Sequence, residues 1–596
     1  MGSVIKRIAA VLLSMVFVVN MTLPTVLAEE KQNSEASSVR KMRAEFDVFM
    51  DTQFVYGITH DALYLNLALA NPEKFEGYYD DDYKEIYWRL EPEKQRDYNE
   101  DARLAMQTFK KFERSKLTMA QRKDYDIFAL NAALFEEGSK IADHHKPFRY
   151  IGNTPLLLSE YQFNNVDDIE IYLELCSQIG ALFGDYFSFD REKAVYGMLS
   201  VEAIEEAINE CKTFLKKTQS NVMVVEFAKR INELTFINST RKNAYIRQNR
   251  KIFTEKIAPA YRELIVELEK LKDLGSENAK SIAEFDTGKA FYRHALKRAG
   301  ITMTPEELIS VSNSKLRSYS REFVDFVSTN DGLGFDVDVV TGGTSAERIM
   351  ALLRTESSKD FPDIPPNITY EIKKIDGGLT GLSDGVYVLP RIDDYINNVI
   401  YYNPDVSYDY LFALMAHEGF PGHLLETVLR YSNDDISNYR KYNTFMGYSE
   451  GWATYAELYS YKYLRRNDNM KKLIRLEKEL DMALFLRVDL GVNYQGWTLK
   501  QLSEYLDTIA FFKDYISDEF YETFYKHALT HPMNPVPYAA GYYEIEILRA
   551  RFERQLGAAY SDKLFHEEFL KIGTAPFSMV KSWLDHAVRE HRKQAA

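Results

Sequence analysis

Cysteine is nearly missing from this chain: Cys176 and Cys211 are the only two in 596 residues. Two thiols cannot supply a cysteine-based structural zinc site or the disulfide lattice that holds small secreted domains together. Both fall in helical patterns and are expected as core thiols. A disulfide between them stays open, because sequence does not show whether their Cα atoms approach. Excess positive charge is absent as well. The formal net charge of −15 argues against nucleic acid or an anionic membrane surface as a partner, and leaves small substrates open. There is no convincing internal repeat and no low-complexity tract. The N-terminal apolar run, Ile8 to Val19, is too short to span a bilayer. It follows Lys6-Arg7 and precedes the small-residue site Val26-Leu27-Ala28, so residues 1–28 are expected to be a cleaved secretory signal. An uncleaved signal-anchor is the alternative. Cleavage removes two cations and no anions, taking the charge from −15 to −17. No cysteine follows the cleavage site, which argues against a lipid anchor there. The expected location is secreted or extracytoplasmic, without stable membrane insertion.

What is present is a large apolar and aromatic complement, with 41 tyrosines. Residues 29–40 are polar and are expected to form a flexible lead-in. From about 41 to 325 apolar residues recur at i, i+3, i+4 and i+7, as in YDIFALNAALFEEGSKIADHH and VDDIEIYLELCSQIGALFGDYF, and predict helices. Thr304-Pro305 reads as a helix start, with Thr as N-cap and Pro at the first position. A glycine-rich break around 332–343 and FPDIPPN (361–367) separate an N-terminal helical region, 41–360, from a second region, 361–596. The second opens with ITYEI, GVYVL and NVIYY, which predict two or three short strands, and is otherwise helical to its end near 593. The expected class is mainly α, a large multi-helix body with a small sheet beside a helix of special interest.

That helix lies in LFALMAHEGFPGHLLETVLR (411–430). His417, Glu418 and His423 place two imidazoles beside a carboxylate, a set suited to a metal with an adjacent general base. The spacing is unusual. An i,i+4 pair on a helix is offset by roughly 40° and can share one ion, whereas an i,i+6 pair is offset by roughly 120°. Pro421 removes an N–H and clashes with the carbonyl of His417, and Gly422 reaches backbone angles closed to other residues. The pair could swing His423 back onto His417, with or without a bulge, or simply end a helix beside a buried histidine.

A catalytic metal commonly takes three protein ligands and leaves a position for water. Glu450, in GYSEGWATYAE, is the best third candidate, although an acid there also suits a helix start. Glu457, seven residues on and on the same face, could orient a ligand or be solvated. Tyr538 and Tyr542 lie one predicted turn apart after the rigid loop HPMNPVP (531–537), with Arg549 on the same face. A phenol can donate to an oxyanion and a guanidinium can grip a carboxylate, though so many tyrosines guarantee chance pairs. Arg391 is a second possible anchor for a terminal carboxylate.

HEGFPGHLLE, GYSEGWATYAE, LRVDLGVNYQGWT, HPMNPVPYAAGYYEIEILR and FHEEFLKIGTAPFSMV occur in this order. Together they resemble the bacterial "domain of unknown function 885" family over roughly 365–592, and more weakly before that. Members look like zinc metallopeptidases with an H-E-x-x-P-G-H signature, distantly similar to the thimet-oligopeptidase and carboxypeptidase Taq groups. The resemblance implies a mostly α, peptidase-like fold and one Zn²⁺ at His417, His423 and Glu450. It implies Glu418 as general base, with Tyr538 on the family's Y-x-x-G tyrosine and some weight on Tyr542. Leu424, Glu426, Asn493 and Asn534 depart from residues common in the family. The expected function is a secreted zinc peptidase acting on peptides. The alternatives are a zinc hydrolase of a non-peptide amide and an inactive binding protein on the same scaffold.

Overall fold

The computed structural model describes residues 30–58, 62–75, 102–141, 150–216, 220–277, 279–330, 345–375, 385–404, 406–509 and 517–595, with Phe148 and Phe512. The expected signal segment 1–28 and the glycine-rich break at 332–343 lie outside the described residues. Helices dominate, as expected, and one small sheet interrupts them. No described helix is long and apolar enough to cross a membrane. The first described helix runs from Glu30 to Ile58. The polar stretch 29–40, expected as a loose lead-in, therefore enters that helix at Glu30. It contains no Gly or Pro, and its Glu, Lys, Gln and Ala are good helix formers. Thr304 caps Pro305–Thr329 through a reciprocal capping box with Glu307, as its sequence predicts.

The three predicted strands form: β1 (Thr369–Lys374), β2 (Gly385–Val388) and β3 (Asn397–Tyr402). Their order is β1-β3-β2, with β3 parallel to β1 and antiparallel to β2. Side chains alternate between the faces of a strand, and here the alternation divides two cores. Tyr387, Ile400 and Tyr402 join the core that surrounds the HEGFPGH segment. Tyr401, with Val386, Val388 and Val399, packs on a second core built from the helices of 150–271. The sheet is thus the partition between an N-terminal helical body and the region that carries the motifs. Cys176 and Cys211 are both buried free thiols in the second core, so the core-thiol reading holds and the disulfide does not form.

Candidate metal centre

Ser407 starts the first site helix, Tyr408–Glu418, its side chain accepting the N–H of Tyr410. The helix stops one residue after His417, and a second site helix begins at His423 and runs to Ser432. The Pro421-Gly422 pair therefore breaks the helix rather than bulging it. Gly422 is required by close approach: a Cβ there would sit 1.8 Å from the carbonyl oxygen of His417. The Trp452 indole N–H donates to the Pro421 carbonyl at 3.1 Å and ties the linker to the third site helix, Met446–Ser460. The outcome is that the rings of His417 and His423 stand 4.9 Å apart, edge to face.

Glu450 comes from the third site helix, which is held unusually close to the helix Gly541–Leu556. Cβ atoms at Gly451 or Gly541 would fall 2.5 Å and 2.1 Å from backbone atoms across that interface. The glycines of GYSEGW and AAGYY thus set the helix spacing. Glu450 Oε2 lies 3.4 Å from His417 Nε2 and 3.3 Å from His423 Nε2. All three donor atoms fall within 4.8 Å of one another. Donors ~2.1 Å from a tetrahedral ion stand roughly 3.4 Å apart, which is the spacing of the two His–Glu pairs. Glu450 Oε2 is buried without an aligned hydrogen-bond partner, and such an oxygen is costly unless something else satisfies it. The three residues fit a metal ion.

The electrostatics point the same way. Burial opposes charge on His417, but Glu450 and Glu457 outweigh it and raise its pKa to about 10. Burial likewise opposes charge on Glu450, and His423 and His417 hold it well below the usual carboxylate range. Glu457 is brought down to about 2, against its burial, by Lys478 and then His417. Glu450 and Glu457 thus stay ionised in the interior, and their charge makes the cluster a place for a cation. Glu457 Oε2 is 3.3 Å from His417 Nδ1, which places it behind the ligand, as one of its two sequence readings held.

Glu418 is buried, and its Oε2 accepts the Tyr387 N–H from β2 at 2.8 Å. This contact exists because β2 lies hard against the first site helix; a Cβ on Gly385 would meet Leu414 at 2.6 Å. Tyr538 is about a third exposed, with its ring 6.1 Å from His417. It sits in a π turn, Val536–Ala540, ahead of the regular helix. A π turn bonds i to i+5 and shifts later residues around the axis, so Tyr538 and Tyr542 do not share a face as a straight helix predicts. Tyr542 is buried, and its hydroxyl donates to Glu479 at 3.2 Å. Arg549 makes two bonds to Asp562, at 2.7 and 3.1 Å. Arg391 is buried and spent on Asn66 and the carbonyl of Glu160. The structure therefore gathers His417, Glu418, His423, Glu450, Glu457 and Tyr538, and engages Tyr542, Arg549 and Arg391 elsewhere.

Three of the four departures from the family sit in buried contacts. Leu424 is fully buried in the core. Glu426 pairs with the equally buried Arg430 at 3.3 Å, while Asn534 is exposed. Asn493 donates to Asp489 and to the Ala528 carbonyl, each at 2.8 Å, and accepts the Ile282 N–H at 3.2 Å. Asp489 in turn takes the Met533 N–H at 2.8 Å, anchoring the loop that leads to Tyr538. Three contributors escaped the sequence reading. Lys478 and Tyr461 contact Glu457, and no motif marks them. The Tyr387 N–H is main chain, which no side-chain pattern reveals.

No curated protein matches the chain. Two solved structures share the fold. A lipoprotein candidate from Colwellia psychrerythraea is 18% identical, with a TM-score of 0.73 over 93% of this chain and 99% of that one. A lipoprotein candidate of unknown function from Shewanella oneidensis is 17% identical, with a TM-score of 0.56 over 90% and 98%. The family model described as "Bacterial protein of unknown function (DUF885)" matches residues 74–584, and the chain belongs to that family.

Proposed function

We propose that the protein is a zinc-dependent peptidase that works outside the cytoplasm. The observation that carries the reading is the convergence of His417 Nε2, His423 Nε2 and a buried Glu450 oxygen that lacks an aligned hydrogen bond, with Glu418 next to His417 in the chain. His417, His423 and Glu450 would hold the ion. When bound, it would acidify a water and polarise the substrate carbonyl. Glu418 would take a proton from the water that adds to the carbonyl carbon and return it to the amine nitrogen as the C–N bond breaks. The Tyr387 N–H fixes the direction of the Glu418 carboxylate before substrate arrives. Tyr538 donates its phenolic hydrogen to the carbonyl oxygen as charge develops there. Among the described residues β2 is an edge strand; its Tyr387 N–H is taken by Glu418, and an extended peptide would use the other main-chain groups of that edge. The location rests on the signal-like segment 1–28. The two structural relatives described as lipoprotein candidates are consistent with it.

The test is digestion of a peptide library by wild type and Glu418→Gln, read by mass spectrometry, with metal content measured on both. The expected outcome is equal zinc and a rate reduced by at least about 10²-fold, the ordinary contribution of a positioned general base. Equal cleavage by the two proteins sinks the mechanism. Stoichiometric zinc in the wild type with no cleaved peptide moves the reading to another amide or to a binding role.

A further inference from the structure

Behind the three candidate ligands lies a second layer that runs to a helix supplying none of them. Glu457 Oε2 faces His417 Nδ1 at 3.3 Å. Its other oxygen accepts the Tyr461 hydroxyl at 2.7 Å and lies 3.0 Å from Lys478 Nζ. The Glu457 side chain is 3% exposed, whereas Lys478 is 38% exposed and reaches in from the helix Asp468–Asp489. From these contacts we infer that Lys478 is a positioning residue for the metal centre. It holds Glu457 against His417 Nδ1, so that His417 keeps its proton on that nitrogen and presents the Nε2 lone pair to the ion. This rests on the metal reading proposed above and extends it to a residue outside the ligand helices.

The assignment has support first from the tautomer of His417 and then from charge. An imidazole carries one proton when neutral, and the nitrogen facing a carboxylate takes it, leaving the other to bind a metal. His417 has a carboxylate on each side, Glu457 at Nδ1 and Glu450 at Nε2; an ion held by Nε2 together with the Glu450 oxygen would exclude the proton from Nε2 and leave it on Nδ1, against Glu457. Glu418, Glu450 and Glu457 are three carboxylates in a buried cluster. A divalent ion matches two of them, and Lys478 matches the third. A low-dielectric interior penalises an unmatched charge heavily, so the lysine sets how well the pocket accepts an ion of charge two. An exposed ion pair elsewhere on the surface contributes little, but here one partner is closed off from solvent and touches a ligand.

The test uses the full chain and zinc alone. Zinc affinity of the wild type, Lys478→Met, Lys478→Arg and Glu457→Gln is measured by competition with a chromophoric chelator. The visible spectrum of each cobalt-loaded protein is recorded as well. Lys478→Met and Glu457→Gln are expected to bind zinc about 10–100-fold more weakly, the usual cost of losing a partner behind a metal ligand, with a changed cobalt spectrum. Lys478→Arg, which keeps the charge, is expected to restore the wild-type spectrum and most of the affinity. Wild-type affinity and an unchanged spectrum in Lys478→Met overturn the inference and leave a plain ion pair. If that variant does not fold, Glu457→Gln with wild-type affinity overturns it equally. A wild type that binds no zinc defeats the metal reading itself, a different result from either.

Discussion

The two sides of the sheet are built on opposite terms. The helices of 150–271 close over an apolar, aromatic core in which Phe227 stacks on Tyr172 and meets Phe163 edge-on. Across the sheet the interior is full of charge. Of the fifteen buried Asp, Glu, Lys and Arg side chains among the described residues, twelve lie after residue 390. Burying such groups rarely adds stability over apolar packing, so their density marks where stability has been given up for something else. At the candidate metal centre that something is the His417, His423 and Glu450 cluster that could hold an ion. Around it, Arg430, Arg440, Asp489 and Glu544 hold turns and loops in register; Glu544, for instance, takes the N–H groups of Thr302 and Met303 at 2.8 and 3.0 Å. The lesson is a difference in content: both cores are apolar, but the one around the motifs also buries most of the charged groups that fix its turns and loops.

The strongest attempt to break this contrast is Phe227→Ala. Phe227 is fully buried, and its truncation is expected to cost about 3–5 kcal/mol, read by denaturant unfolding. Zinc affinity of the folded fraction should be unchanged. A parallel loss of zinc affinity means the two cores act as one.

A smaller effect, on the other side of the sheet, comes from His566. This ring is fully buried and stacked on Phe361. Its Nδ1 faces the Asp360 carbonyl at 2.6 Å, and its Nε2 meets the Tyr455 hydroxyl at 2.8 Å. A carbonyl only accepts, so Nδ1 is the donor and Nε2 the acceptor, and both needs are met by the neutral ring. Burial is the main reason its pKa falls to about 4. Between that value and the unfolded one near 6.5, the unfolded chain binds the extra proton. The contribution is therefore fully present above pH 6.5 and is lost as pH falls to 4, up to about 3 kcal/mol. Unfolding free energies of wild type and His566→Gln, subtracted at each pH, should converge across that window. A constant difference from pH 7 to 4.5 rejects the assignment.

Asn493→Leu sharpens the contrast most finely, because it asks whether a polar group near the site is scaffold or chemistry. It strands the Ile282 N–H and the Ala528 carbonyl, at about 1–3 kcal/mol of stability, with zinc affinity expected to be retained. Intact stability with lost peptide cleavage would place Asn493 in the chemistry instead.

Much of this is legible in the sequence. Helix and strand periods, the Thr304 cap and the two-face alternation of β3 are local, and local patterns survive into the fold. The cluster of His417, His423 and Glu450 is legible because all three sit in distinctive short motifs. The roles of Tyr542, Arg549 and Arg391 are not. A straight-helix projection carried the two tyrosines and Arg549 to one face, and a single π turn undid it. Arg391 and Arg549 look free in sequence, yet each meets a partner remote in the chain or across a turn, Asn66 in one case and Asp562 in the other.

The sequence alone determined the helical class, the short strands and which side chains could bind a metal, because periodicity, capping and ligand chemistry are properties of neighbouring residues. Tertiary structure alone decided that the break at Pro421-Gly422 brings His423 back to His417. It also decided that a strand N–H holds Glu418 and that Lys478 stands behind the centre. Each of these depends on how closely separate elements pack, and that distance is set by glycines at helix crossings and by the sheet between the two cores.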